Sequence, residues 1–265
     1  MKLNNMLKIM LASGLVVSGL ASATSQPVST FTPEQEVRIG EIAKDYLLAN
    51  PEVLVEASQK LQAQQQEKLQ QVMTVAVLQN LAGLLNDKGT PSYGPDDAKV
   101  TVVEFFDYQC IYCARLAPEL EKLIKANPGV RFIFKEFPIF GQRWPASQSA
   151  AKTGLQVWRQ KGADAYLNYH NAIYATGHNE GKLTDADIST AAKAVKFDAE
   201  TAPDVQGELE GINALAQQLG FNGTPALVVL PSTGASSDNV TVIPGYTSAE
   251  ALQQAINHAT GDTQK

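Results

Sequence analysis

Cysteine is almost absent from this chain: two occur in 265 residues, at positions 110 and 113. That scarcity excludes a disulfide-stapled scaffold and a four-cysteine zinc centre. Histidine is nearly as rare. His170, His178 and His258 show no partner spacing, so a half zinc site at the two cysteines would lack its remaining ligands. Excess positive charge is also missing. With 21 Lys and Arg against 27 Asp and Glu, the formal charge is −6, which argues against nucleic acid or anionic membrane surfaces as partners. Aromatic residues (7%) and charged residues (18%) are both sparse, yet 44% of the chain is hydrophobic. This supports one sizeable core with a smaller appendage and no long disordered tract. The apolar run from Ile9 to Leu20, roughly 12 residues, is short of the ~20 that a membrane span needs.

That run has another reading. Lys2 and Lys8 precede it, and Ala21-Ser22-Ala23 supplies the small-x-small pattern that signal peptidase accepts. Residues 1–23 are therefore expected to be a secretory signal, cleaved after Ala23, and the mature chain is expected outside the cytoplasm. In an oxidising compartment two cysteines normally pair. A bridge between positions 110 and 113 closes almost no loop, so it contributes little chain-entropy stabilisation. A structural staple would join distant segments. Cys110-Ile111-Tyr112-Cys113 therefore points to redox chemistry at a CxxC pair, needing no cofactor and no metal.

Three parts follow the signal. Thr32 is placed to cap a helix with Pro33 at its first position, and Ile39, Ile42, Ala43, Tyr46 and Leu47 recur at helical spacing. Asn50-Pro51 starts a second helix that runs towards Leu85, long, rich in glutamine and thinly apolar. Residues 24–88 are read as a helical oligomerisation arm; the plainer alternative is an arm packed on its own domain. Residues 87–95 read as a linker. The third part, 89–265, opens with a buried strand at Val100–Phe106, a helix from Cys110 to about Ala126 kinked by Pro118, and a second strand at Val130–Phe137. A helical block spans about 145–219. Strands at Ala226–Leu230 and Val240–Pro244 and a helix from Thr247, with Glu250 at capping-box spacing, close the chain.

Strand–helix–strand followed by strand–strand–helix is the thioredoxin arrangement. The chain therefore reads as an α/β thioredoxin fold with an inserted helical domain. Phe105-Phe106-Asp107-Tyr108-Gln109-Cys110-Ile111-Tyr112-Cys113 resembles the active-site segment of the periplasmic DsbA-like family. Lys135-Glu136-Phe137-Pro138-Ile139 resembles its next strand, and Gly223-Thr224-Pro225 resembles its cis-proline loop. The resemblance covers roughly residues 94–259. In placement alone, the amino-terminal arm is similar to that of ScsC-like and Com-one-like members, which form dimers or trimers. Ile-Tyr replaces the Pro-His pair usual between the cysteines of DsbA proteins, which implies a less acidic first thiol.

The resemblance assigns roles. Cys110, at a helix start where free N–H groups favour an anion, is the nucleophile, and Cys113 is the resolving thiol. Thr224 and Pro225 are expected against the disulfide, presenting backbone to a peptide substrate, with Tyr112 beside them; Pro225 otherwise reads as an ordinary turn proline. Glu104 is expected to be a buried acid that relays protons to Cys113, helped by Lys135; both otherwise read as a strand-end ion pair. The implied function is forming or isomerising disulfides in unfolded or misfolded exported proteins, as a periplasmic homodimer or trimer reset by a membrane redox partner. A Cu(I)-binding role for the two soft thiolates is the alternative.

Overall fold

The computed structural model describes residues 30–261. The expected signal lies outside them. The chain divides into two compact units, the first ending at Lys60 and the second beginning at Leu61.

In the first unit, α1 spans Pro33–Ala49. Thr32 caps it: its side chain accepts from the Gln35 N–H while the Gln35 side chain accepts from the Thr32 N–H, a reciprocal capping box. No residue of α1 is buried, and Ile39, Ile42 and Tyr46 lie exposed at helical spacing. The boundary between units falls inside α2 (Glu52–Gln79).

The second unit holds the rest. Asn80 ends α2, and a short α3 (Leu81–Leu85) follows where the sequence suggested one continuous helix. Met73, Val77 and Leu84 are buried in the same apolar cluster as Val103, Phe105 and Val228 of the sheet. Residues 73–88 thus pack with the domain that the sequence placed from 89 onwards. The narrow apolar seam of the Gln-rich helix concealed this, because only its last turns carry the packing residues.

Five strands form one sheet in the order β1-β3-β2-β4-β5: β1 Ser92–Tyr93, β2 Val100–Phe106, β3 Arg131–Glu136, β4 Ala226–Pro231 and β5 Thr241–Ile243. The β2–β3 pair is parallel and the other three pairs are antiparallel. The parallel pair requires a crossover, which α4 (Ile111–Ala126) supplies. β1 lies in the expected linker, where Ser92 and Tyr93 pair with Ile133 and Phe132. Between β3 and β4 the chain forms α5 (Pro145–Lys161), α6 (Ala163–Ala175), α7 (Asp185–Ala194) and α8 (Gln206–Gln218). α9 (Ala249–Thr260) closes the fold. Its cap is Ser248, whose hydroxyl accepts from the Ala251 N–H, one residue later than the expected Thr247.

Strand alternation sends successive residues to opposite faces of the sheet. Val102, Phe106, Phe132 and Phe134 meet α4, α6, α7 and α9 on one face. Val103, Phe105 and Ile133 meet α3, α8 and the end of α2 on the other. This is the three-layer thioredoxin arrangement with a helical insertion.

Candidate active site

Both cysteines sit where β2 hands over to α4. Cys110 is the N-cap of α4, with extended backbone and no side-chain cap, and Cys113 lies one turn in. Both are reduced. In its protonated form Cys110 Sγ donates to the Thr224 carbonyl at 3.2 Å, and the Thr224–Pro225 peptide is cis. Sequence positions 114 apart therefore meet at the sulfur.

The two thiols are driven in opposite directions. Cys110 falls from its ordinary value to about 6. The largest cause is a hydrogen bond from the Cys113 thiol. Burial opposes it, and the Thr224 side chain and the N–H groups of Cys113 and Tyr112 assist it. Those N–H groups are the free donors of the helix start. Cys113 is fully buried, and burial pushes its thiol well above the ordinary range; its bond to Cys110 and the nearby charges of Cys110 and Glu104 add to this. At neutral pH Cys110 is thus a thiolate and Cys113 a protonated donor to it.

Glu104, on β2, is buried beneath the pair, and its Oε2 has no hydrogen-bond partner. Burial, then the charge of Cys110, raises it to about 8. It is a neutral acid at the pH where Cys110 is ionised, able to exchange a proton as the charge on the thiols changes.

Lys135 is not brought to this site. It is registered beside Phe105, one residue out of step with Glu104, so alternation carries it to the opposite face. There its Nζ donates to the Gly83 carbonyl (3.0 Å), Asp87 Oδ2 (2.9 Å) and Thr90 Oγ1 (2.9 Å). The pairing of Lys135 with Glu104, as proton relay or strand-end ion pair, is therefore corrected: Lys135 fastens the segment after α3 to the sheet.

Two further acids, Glu136 and Asp107, are buried at this end of the sheet and were not marked by the sequence. Glu136 faces the same side as Glu104; its Oε1 accepts from Tyr108 (3.0 Å) and Tyr166 (2.9 Å). Strand periodicity could have found it, since positions 132, 134 and 136 alternate with Lys135. Asp107 accepts from the N–H groups of Gln109 and Phe140 and from the Ser147 hydroxyl. At the surface, Tyr112 is 50% exposed and Tyr246 49%, with ring centres 6.3 Å apart. Arg115 stands over the Tyr112 ring at 5.5 Å. Nothing local in the sequence links Tyr246 to the cysteines.

An ionisable nucleophile at a helix start, a buried partner thiol one turn below and a buried acid under both define a thiol–disulfide oxidoreductase of thioredoxin fold. Comparison with known proteins agrees. Residues 86–232 match the family model described as thioredoxin, and residues 35–68 match the copper resistance protein ScsC N-terminal domain. The chain belongs to the thioredoxin family, within its DsbA- and ScsC-related members. The crystal structure of BcfH from Salmonella enterica Typhimurium is 47% identical, with 86% of this chain and 97% of that one covered and a TM-score of 0.74. ScsC from Proteus mirabilis, in a transitional conformation, is 27% identical over 88% of this chain and 99% of that one, with a TM-score of 0.60. Disulfide bond formation protein D of Bacillus subtilis is 26% identical over 56% of this chain and 71% of its own. The chain spans only 21% and 24% of two other curated relatives, the NhaA-named Na(+)/H(+) antiporters of Salinispora tropica and Salinispora arenicola.

Proposed function

We propose that this chain is an exported, periplasmic enzyme that forms and isomerises disulfides in unfolded or misfolded proteins through Cys110 and Cys113. The observation that carries the reading is the inequality of the two thiols. In isomerisation the Cys110 thiolate attacks a substrate disulfide, the substrate S–S bond breaks, and the released sulfur leaves as a thiolate that takes up a proton. A second substrate thiolate then attacks the mixed disulfide and regenerates Cys110. In oxidation a substrate thiolate attacks Cys110 of the enzyme disulfide and frees Cys113, which takes a proton that Glu104 is placed to give. A second substrate thiolate displaces Cys110, and two electrons have passed from substrate to enzyme. A membrane redox partner then removes those electrons. Thr224, Pro225, Tyr112 and Tyr246 are the residues assigned to the substrate backbone and side chains around the sulfur.

The arm is assigned to self-association as a dimer or trimer. The exposed Ile39, Ile42 and Tyr46 stripe of α1 and the match of residues 35–68 to the ScsC N-terminal domain support this. Copies of the site held around one substrate raise its effective concentration, which favours reshuffling over single oxidation.

The test is a substitution pair. Cys110→Ser should abolish turnover of scrambled ribonuclease, and Cys113→Ser should trap mixed disulfides with client proteins. Trapping by Cys110→Ser in place of Cys113→Ser would reverse the roles. The description of the arm's family as copper resistance favours one second reading, Cu(I) carriage by the two thiolates. Tight Cu(I) binding by the reduced chain, without ribonuclease turnover, would replace the first reading with the second.

A further inference from the structure

Three consecutive residues lead into the nucleophile, and all three are buried: Asp107, Tyr108 and Gln109, each 1% exposed. Burying such polar side chains is costly unless each finds a partner. Most of their polar atoms find one, chiefly between β3 and β4, while Gln109 Nε2 has none. Asp107 Oδ2 accepts from the Phe140 N–H at 2.9 Å and from Ser147 Oγ, on α5, at 2.7 Å. Tyr108 donates to Glu136 Oε1, and Tyr166 of α6 donates to that same oxygen. Gln109 Oε1 accepts from the Gly181 N–H at 2.8 Å, and its backbone carbonyl accepts from the Glu180 N–H at 2.9 Å, in the loop before α7. Tyr174 of α6 donates to the Asp107 carbonyl, which also receives the Cys110 N–H.

Two glycines make these approaches possible. A Cβ on Gly154 of α5 would collide with Glu136 Oε1. Gly181, at φ +91°, lies under Trp144, and a side chain there would strike the indole. The insertion is shaped to reach this segment at several points.

We propose that the helical insertion is a positioning element for the nucleophile, acting through Asp107, Tyr108 and Gln109 to hold Cys110 at the start of α4. The sheet alone fixes β2 only as far as Phe106. The next three residues decide where the sulfur sits relative to the Tyr112 and Cys113 N–H groups and the Thr224 carbonyl. Ser147, Tyr166 and Glu136 act through these residues and do not touch the sulfur. The inference rests on Cys110 being the nucleophile, which Cys110→Ser tests separately through its loss of alkylation at low pH.

The experiment uses the full reduced chain. Ser147→Ala and Tyr166→Phe each delete one hydroxyl with little change of shape, and Leu84→Ala, on the opposite face of the sheet, serves as a destabilised control. The readouts are thiolate absorbance against pH, iodoacetamide alkylation at pH 6.5 and the redox equilibrium with glutathione. Ser147→Ala and Tyr166→Phe should each slow alkylation about two- to tenfold, because less thiolate forms. The glutathione equilibrium should move by a similar factor towards a disulfide that is harder to reduce. Leu84→Ala should lower the unfolding midpoint and leave all three readouts unchanged. Unchanged thiolate titration and glutathione equilibrium in a folded Ser147→Ala or Tyr166→Phe protein would overturn the proposal. So would an equal shift in Leu84→Ala, since loss of stability alone would then explain it.

Discussion

Lys135 and Glu104 stand on neighbouring strands, one residue out of step, and so occupy opposite faces of one sheet. Both are buried. Lys135 spends its three donors on three acceptors, Gly83, Asp87 and Thr90. Glu104 has a buried oxygen without a partner and lies beside two thiols. A buried charge whose hydrogen bonds are all made is held in one state and fixes structure. A buried acid left short of partners is held neutral by its surroundings and changes state when a neighbouring charge changes. The same strand pair thus builds a fastening on one side and a titratable group on the other.

The largest expected effects break the fastening. Removing residues 30–60 takes away the first unit and should leave a folded, redox-active domain. Removing residues 30–88 also takes Met73, Val77, Leu84 and Asp87, and should abolish folding. Circular dichroism on the two truncations checks this, and a cooperative transition in the shorter chain would contradict it. Asp87→Ala is the single-residue version. It leaves the Lys135 ammonium buried without its counter-charge, at a cost of about 3 kcal/mol. Lys135→Met should cost less, because Asp87 is 38% exposed and can turn to water. Burial already holds Lys135 below its ordinary value, and Asp87 opposes that. Without Asp87 its value falls further, so the penalty should shrink as pH rises and Lys135 becomes neutral. Urea midpoints at pH 7 and 10 check the sign. Neither substitution should move the thiolate titration of Cys110.

Most of the sheet and the CxxC pair were legible in the sequence for physical reasons, and the Thr224–Pro225 contact only through the resemblance of Gly223-Thr224-Pro225 to a family loop. Val100–Phe106 is rich enough in β-branched and aromatic residues to read as a buried strand, and a CxxC opening a helix specifies its own chemistry. What was not legible depends on which residues meet after folding. Lys135 follows Phe134 and precedes Glu136, and only the register with β2 says which of the two charges shares a face with Glu104. Asp107 and Gln109 read as turn residues, because their partners lie 33 to 72 positions away in the insertion. The Gln-rich helix read as an arm throughout, because three buried residues after position 72 give too weak a period to mark where packing begins.

Glu104→Gln sharpens the other side of the comparison. Glu104 keeps its proton to about 8 when folded but releases it near 4.5 when unfolded. The unfolded chain therefore binds fewer protons between those values, and stability is lost as pH rises through that window. Glutamine removes the loss, so the variant should gain stability relative to the parent from pH 5 to 8, by about 2–4 kcal/mol at the upper end. In it Cys113 should also resolve mixed disulfides held at Cys110 at least about tenfold more slowly, because the proton exchange is gone. Working with the disulfide form removes the Cys110 charge from the balance and leaves burial, so the gain should persist there at reduced size. A variant with the parent's pH profile would mean that Glu104 is already ionised in the fold.

Thr224→Val should give the smallest effect, and it tests how a charge that must appear during turnover is accommodated. The Cys110 thiolate is favoured by the Cys113 thiol, by two backbone N–H groups and by the Thr224 hydroxyl, which is buried without a hydrogen-bond partner. It stands between the two extremes of the sheet, better supplied with donors than Glu104 and less enclosed than Lys135. Valine has the shape of threonine and leaves the Thr224 carbonyl, which faces Cys110 Sγ, in place. Only the hydroxyl is lost, and it is one donor among several, so the Cys110 value should rise by about half a unit to one unit. Because a lowered thiol stabilises the reduced fold above about 6, that stabilisation should begin at a higher pH in the variant. The disulfide form carries no thiolate, so its unfolding midpoint should match the parent's to within about 0.5 kcal/mol. A shift confined to the reduced form makes Thr224 a tuning residue. An equal shift in both forms makes it a packing residue, and the thiolate then depends on Cys113 and the helix start alone.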